Sequence, residues 1–464
     1  MSERTQDVER TEFDVIVIGA GPAGEVCAGR LGEAGLDVAI VETHLIGGEC
    51  SYYGCMPSKA LLRPAEALAE ARRIPGAREA ALGELDVPAV LRRRDEVIHE
   101  LDDSSQLPWL ETRHVTVVRG KGRIARERAV DVDGRLLAAR RAVVVATGSE
   151  PAVPPIPGLA DAKPWTNREA TTAPEVPARL IVLGGGVVGV ELAQAWSSLG
   201  SQVTLIEALP RLLGREEPFA AEEVQTALSE RGVDVRTGAR AVAVARNGSA
   251  VTVELEDGGA VAADELLVAV GRRPATRDIG LEALGLEPGR SLEVDATLRV
   301  RGFDWLYAIG DVNGRSLLTH MGKYQARVAA DVITGREALL DTRAHGMLAP
   351  RVVFTDPQVA AVGYTLESAK EAGLNVREVD QPTSANAGGS FYGRGAPGTA
   401  RLVVDAERQV IIGATFTGAE VAEFLHAATI AIVGEVPLER LWHAVPSFPT
   451  RSEVWLRLLE AYGL

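Results

Sequence analysis

Phe13-Asp-Val-Ile-Val-Ile-Gly19-Ala-Gly21-Pro-Ala-Gly24 is an apolar run that breaks into closely spaced glycines. A short apolar run bounded by glycine has the pattern of a strand buried on both faces of a parallel sheet. A helical pattern follows, then a second strand from Asp37 to Val41 that ends at Glu42. In this strand, turn, helix, strand order the glycines admit a pyrophosphate to a helix N-terminus, and the acid accepts a ribose hydroxyl. The unit recurs: Arg179 to Leu183 leads into Gly184-Gly-Gly186-Val-Val-Gly189, a helical stretch, and Gln202 to Ile206 ending at Glu207. Gly19 and Glu42 are 23 residues apart, and so are Gly184 and Glu207. One chain therefore carries two dinucleotide-binding patterns, and the expected class is α/β.

Between the two units lies Gly47-Gly48-Glu49-Cys50-Ser-Tyr-Tyr-Gly-Cys55-Met-Pro57-Ser-Lys59, with two of the chain's three cysteines. A short Cys-x4-Cys loop entering a helix permits a bridge and leaves a sulfur beside the positive end of the helix, which favours thiolate. A tetrahedral metal site needs more ligands than one such pair offers, so no metal is expected. Three cysteines are too few for a secreted disulfide framework, and a paired motif in a reducing compartment points to redox chemistry. Cys27, on the first helix, reads as a small buried residue.

The 464 residues allow about three domains, and 46% hydrophobic content is enough for substantial cores. No stretch offers the eighteen or so uninterrupted apolar residues of a membrane span, and the polar first twelve residues lack a signal-peptide core. A soluble, cytoplasmic protein is expected. A net charge of -15 opposes nonspecific nucleic-acid binding. Pro57 is expected to begin a helix running to about Arg73, and a second helical stretch is expected from about Val87 to Leu110. Arg141 to Ala146 reads as a strand ending in Thr147-Gly148-Ser149, followed by prolines at 151, 154, 155 and 157 that mark a boundary. A strand over Glu265 to Val270 leads into Gly271-Arg-Arg-Pro274, and Leu306 to Asp311 places an acid just past another apolar strand. The glycine-rich loop 386–398 reads as irregular.

Two nucleotide folds flanking this cysteine loop resemble the class I pyridine nucleotide-disulfide oxidoreductases, which include dihydrolipoamide dehydrogenase, glutathione reductase and mercuric reductase. The resemblance spans nearly the whole chain, through both glycine loops, the cysteine loop, Ala146 to Ser149, Glu191, the GRRP stretch and the acid at Asp311 before Leu318-Thr319-His320. It implies two Rossmann-like domains plus an α+β dimerisation domain. These are an FAD-binding domain at 1–155, an NAD-binding domain at 156–271, a central domain at 272–346 completing the FAD site, and an interface domain at 347–464 that forms a homodimer. By position, Gly19, Gly21, Gly24, Glu42, Gly48, Thr147, Gly148, Asp311, Thr319 and His320 would hold FAD. Gly184, Gly186, Gly189, Glu207 and Gly271 would serve the nicotinamide nucleotide. Glu207 repels a 2′-phosphate, which favours NAD over NADP. Lys59 and Glu191 would form an ion pair beside the flavin, Cys55 would face the flavin, and Cys50 would exchange with the acceptor.

The family's His-Pro-Thr-x-x-Glu motif, which supplies an acid-base histidine from the partner subunit, corresponds here to Phe448-Pro449-Thr450-Arg451-Ser452-Glu453. Phenylalanine cannot carry a proton, so a positioned acid-base group worth about a hundredfold to ten-thousandfold is missing. Glu453 could act as the acid itself, and His443 is a second candidate. The expectation is an atypical NADH-dependent flavoprotein passing electrons through Cys50 and Cys55 to an unidentified small-molecule or small-thiol acceptor. The alternatives are a dihydrolipoamide dehydrogenase, a quinone or dye reductase, a redox sensor or complex subunit, and a relative of ketopropyl-coenzyme M carboxylase.

Overall fold

The computed structural model describes residues 10–393, 396 and 398–464. The described residues divide into two compact units, each built from separated stretches of sequence: those within 1–55, 98–150 and 272–340 form one, and those within 56–97, 151–271 and 341–464 the other. Among the described residues no helix is long and apolar enough to cross a membrane.

The first unit opens with strand β1 (Glu12–Ile18), helix α1 (Pro22–Glu33) and strand β2 (Val38–Glu42). β1 is central because its residues have no polar face to spare: Phe13, Val15, Ile16 and Val17 are fully buried. It pairs in parallel with β2 on one side and with strand Arg135–Val145 on the other. Strand Val115–Arg119 extends the parallel sheet beyond β2, and Leu306–Ala308 pairs in parallel with Val143–Val145. A helix over Thr319–Ile333 packs against α1. Cys27 is fully buried in α1, and burial pushes its thiol up to about 12.

The second unit repeats the opening pattern, with strand Arg179–Leu183, helix Val187–Ser198 and strand Gln202–Ile206. Its parallel sheet is completed by Asp234–Arg236 and Glu265–Val268. An antiparallel three-stranded sheet over residues 241–263 lies in the same unit. The C-terminal part is a five-stranded antiparallel sheet whose core packs beneath Leu425, Ala428, Val454 and Leu458. The fold is thus mixed α/β, with two Rossmann-like units and an α+β C-terminal region.

Two expected helices are corrected. The helix assigned to Pro57 begins at Cys55, as α3 (Cys55–Arg73), because proline is tolerated in a first turn where N–H groups lack partners. A short helix α2 (Gly48–Tyr52) precedes it and contains Cys50. The stretch from Val87 to Leu110 is not one helix: it ends at Val97 and resumes only at Leu107. His99, Glu100 and Leu101 adopt positive φ, the Asp103 carboxylate accepts the Ile46 N–H at 2.7 Å, and Ile98 packs with Tyr52 and Tyr53. Tertiary contacts override a continuous helical pattern here. Among the described residues of loop 386–398 the one helical turn is Gly389–Tyr392, and positions 394, 395 and 397 lie outside the described residues.

Candidate active site

In the first unit the glycine loop is shaped by close backbone approach. Gly19 has φ +102°, and a Cβ there would sit 2.5 Å from the Ala146 carbonyl oxygen. A Cβ on Gly24 would fall 1.9 Å from the Gly19 oxygen, so α1 can start only where side chains are absent. Gly21 and Gly148 instead face open space with no atom within 4 Å of a built Cβ. Glu42, at the end of β2, accepts the N–H groups of Ala20 and His44, each at 2.7 Å. These bonds hold the carboxylate at the rim of the loop. An open cradle of N–H groups at a helix start, with an acid at the next strand end, fits the pyrophosphate and ribose of a dinucleotide.

The cysteine loop is anchored to that cradle. Gly47 donates to the Ala20 carbonyl at 2.8 Å, and a Cβ on Gly48 would lie 2.8 Å from Gly21 Cα. Both glycines have positive φ, which permits this approach. Cys50 lies within α2 and Cys55 opens α3; both are half-buried thiols that hydrogen-bond to each other. The Cys50 thiol is pushed up, first by its hydrogen bond with Cys55 and then by burial, while the Thr319 hydroxyl and the Lys323 charge oppose the rise. Cys55 Sγ is 3.5 Å from Thr319 Oγ1. Thr319 is the first residue of its helix, and His320 beside it is exposed.

A polar cluster supports this centre. Thr147 donates to the Ala275 carbonyl at 2.8 Å, and Ser149 donates to Asp311 at 2.6 Å. Burial raises the Asp311 carboxyl from its ordinary value, and the Ser149 bond opposes that. Arg272 reaches Ser149 at 2.7 Å and Glu49, the neighbour of Cys50, at 3.3 Å. Gly271 has φ +140° and faces open space. Arg272 and Glu49 are absent from the sequence-derived site: both stand in quoted motifs, but nothing in one dimension says which arginine of the pair turns inward.

The second unit reproduces the cradle. Gly184 has φ +108° with a built Cβ 2.5 Å from the Ala269 oxygen, and a Cβ on Gly189 would lie 1.8 Å from the Gly184 oxygen. Gly186 faces open space. Glu207 accepts from Gly185 N at 2.6 Å and Leu209 N at 2.7 Å, matching Glu42 in the first unit. The residues fit a second dinucleotide. In this unit Lys59 Nζ meets Glu191 Oε2 at 2.7 Å, the other Glu191 oxygen accepts Phe354 N–H at 2.9 Å, and the Lys59 ammonium lies 4.7 Å from the Phe354 ring centre.

The C-terminal segment is also in the second unit. Phe448 is 77% exposed and precedes a cis proline, and Val445 is exposed as well. Arg451 is buried between the Tyr392 and Phe424 rings and donates to the Ala419 carbonyl; burial lowers its proton affinity. A cavity of about 460 Å³ is lined by Tyr392, Glu420, Phe424 and Arg451. A Cβ on Gly388 would fall 2.1 Å from the Thr450 carbonyl carbon, so the glycine-rich loop braces this segment. One Glu453 oxygen is buried without a hydrogen-bond partner among the described residues, and His443 is exposed. No group of three or more His, Cys, Asp or Glu side chains among those residues is arranged to hold a metal ion.

Residues 13–330 match the pyridine nucleotide-disulphide oxidoreductase family, and residues 349–458 match its dimerisation domain. A dihydrolipoyl dehydrogenase of Thermus scotoductus is 36% identical over 97% of this chain and 97% of that protein. A mercuric reductase of Staphylococcus aureus is 30% identical over 97% of this chain and 83% of its own length. Among solved structures, the HOCl-induced flavoprotein disulfide reductase RclA from Escherichia coli superposes with a TM-score of 0.84 at 27% identity, covering 96% of this chain and 99% of RclA. The chain therefore belongs to the pyridine nucleotide-disulphide oxidoreductases, flavoprotein enzymes that use FAD and NAD(P).

Proposed function

We propose that this enzyme is an NADH-dependent disulfide oxidoreductase in which Cys50 and Cys55 pass electrons to an acceptor other than lipoamide. The contact of Cys55 Sγ with Thr319 Oγ1 carries the reading, because it joins one sulfur of the pair to the helix start assigned to the flavin. Bound FAD would supply two-electron chemistry between a nicotinamide and the dithiol.

The chain's own residues have the following roles in this reading. Gly19, Gly21, Gly24, Glu42 and Gly48 bind the adenine-nucleotide half of FAD. Thr147, Gly148 and Asp311 bind the remainder of its chain, and Thr319 and His320 face the ring. Gly184, Gly186, Gly189, Glu207 and Gly271 bind NADH. The two Glu207 oxygens already receive N–H groups, and the negative charge disfavours a 2′-phosphate, which supports NAD over NADP. Lys59 and Glu191 orient the nicotinamide; a buried pair suits positioning better than stability. Cys50 exchanges with the acceptor, and Cys55 closes the disulfide again. The dimerisation region and the exposure of Val445 and Phe448 support a homodimer that brings Phe448 and Glu453 to the partner's dithiol.

Phe448 leaves that centre without an imidazole, which argues against efficient lipoamide turnover. The buried, unpartnered Glu453 oxygen supports Glu453 as the remaining polar group there. A metal-ion acceptor is a second reading: one relative is a mercuric reductase, and RclA has been solved as a Cu(II) complex. An anaerobic NADH titration followed by absorbance tests the relay. A long-wavelength band at two electrons, lost in Cys55→Ser, is expected; flavin bleaching with no such band would refute it. A panel of disulfide, quinone and metal-ion acceptors then separates the two readings.

A further inference from the structure

In the second unit, residues Phe354 to Pro357 link strand Arg351–Val353 to strand Gln358–Gly363 and run along one face of the helix Val187–Ser198. Glu191 and Gln194 are three positions apart on that helix, so their side chains share the face. Each accepts one N–H of the link: Glu191 Oε1 from Phe354 at 2.9 Å, and Gln194 Oε1 from Asp356 at 2.8 Å. Phe354 also meets the other member of the ion pair, its ring centre lying 4.7 Å from the Lys59 ammonium. The link therefore sets where Glu191 and Lys59 come together.

Asp356 anchors the link. Its buried carboxylate receives two guanidinium groups, Arg73 Nη1 at 3.0 and 3.3 Å and Arg231 Nη2 at 2.6 Å. Arg73 is the last residue of α3, the helix that carries Lys59, and Arg231 stands just past the helix Pro218–Glu230. One carboxylate and its own N–H thus tie the link to three helices, two of which bear Lys59 and Glu191. The anchor depends on charge: an amide in place of the carboxylate leaves two partly buried guanidinium groups facing each other without a counterion.

We propose that Asp356 is a positioning residue for hydride entry: by gathering Arg73, Arg231 and Gln194 it places Phe354, and Phe354 fixes the geometry in which Glu191 and Lys59 orient the nicotinamide. This rests on the reading of Lys59 and Glu191 as the nicotinamide-orienting pair. Asp356 acts through Phe354, whose N–H and ring are the two contacts with the pair. Small displacements matter at such a site, since misplacement by about 1 Å can cost about a hundredfold in rate. NADH affinity comes from the separate cradle around Gly184 and Glu207, so loss of the anchor falls on the rate of reduction rather than on binding.

The test is anaerobic stopped-flow reduction of flavin-loaded protein by NADH, read at the flavin absorbance, together with hydrogen exchange of the peptide spanning 351–357. Asp356→Asn should lower the limiting rate about tenfold, move the half-saturating NADH concentration by less than about twofold, and speed exchange at Phe354 and Asp356. Arg231→Gln leaves Arg73 on the carboxylate and should slow reduction about threefold, which keeps the test decisive if Asp356→Asn fails to fold. In a Glu191→Ala background, where the Phe354 N–H loses its acceptor and Lys59 its partner, Asp356→Asn should add less than about twofold. An unchanged limiting rate in either folded single variant, or the full slowing on top of Glu191→Ala, would overturn the proposal. Slowing in Glu191→Ala without slowing in Asp356→Asn strikes this proposal alone. An unchanged rate in Glu191→Ala instead removes the orienting role of the pair, and this proposal with it.

Discussion

Lys59 and Glu191 should not be equivalent partners, and their inequality can be worked from burial. Glu191 is 3% exposed, whereas the Lys59 side chain keeps about a third of its surface in solvent. Lys59→Met strands a carboxylate that water cannot reach, and removing one partner of a buried pair typically costs about 3–5 kcal/mol. Glu191→Gln keeps an oxygen for the Phe354 N–H at 2.9 Å and leaves an ammonium that can turn to solvent. Its cost is that of weakening one hydrogen bond, about 1–2 kcal/mol. Chemical denaturation of the flavin-loaded variants, followed by circular dichroism, should therefore rank Lys59→Met as clearly the less stable. Equal losses, or a larger loss for Glu191→Gln, would refute the view that burial of Glu191 governs the pair. The same variants should both weaken NADH reduction of the flavin if the pair orients the nicotinamide.

Three further outcomes are expected. Burial raises the Glu25 carboxyl from 4.5 to about 7, so between those values the folded chain holds a proton that the unfolded chain releases. Stability should fall as pH rises through that window, by at most about 3 kcal/mol; Glu25→Gln should escape the fall, and denaturation curves that stay parallel from pH 5 to 8 in flavin-free protein would contradict it. Phe448→His should raise lipoamide or glutathione-type disulfide reduction by about a hundredfold at unchanged flavin content. No gain in that assay would remove Phe448 as the limit on exchange. Gly24→Ala places a Cβ 1.9 Å from the Gly19 oxygen and should abolish flavin retention, measured by absorbance of the purified protein. Gly189→Ala makes the matching clash at 1.8 Å and should spare the flavin while weakening NADH binding in titration.

Much of the site was legible because its parts are local. The glycine turns, the acids at Glu42 and Glu207 and the cysteine loop each occupy one short stretch, and backbone sterics constrain such stretches wherever they occur. The bonding of Glu42 and Glu207 to their own glycine loops follows the spacing of the repeat. Less was legible where a local pattern met a competing contact. Val87 to Leu110 has a continuous helical composition, yet Asp103 binds Ile46 N–H and Arg119, and Ile98 fills a pocket beside Tyr52 and Tyr53. Those contacts outweigh the few tenths of a kcal/mol per residue that helix propensity offers.

The sequence by itself determined the two glycine-loop repeats and the cysteine pair, since each is a matter of residue type at fixed spacing. Only the tertiary structure decided what surrounds the dithiol. Thr319 reaches Cys55 across 264 positions, and Arg272 reaches Glu49 across 223. Such meetings depend on how buried faces pack, and a one-dimensional pattern shows that a face is apolar without showing which other face will cover it.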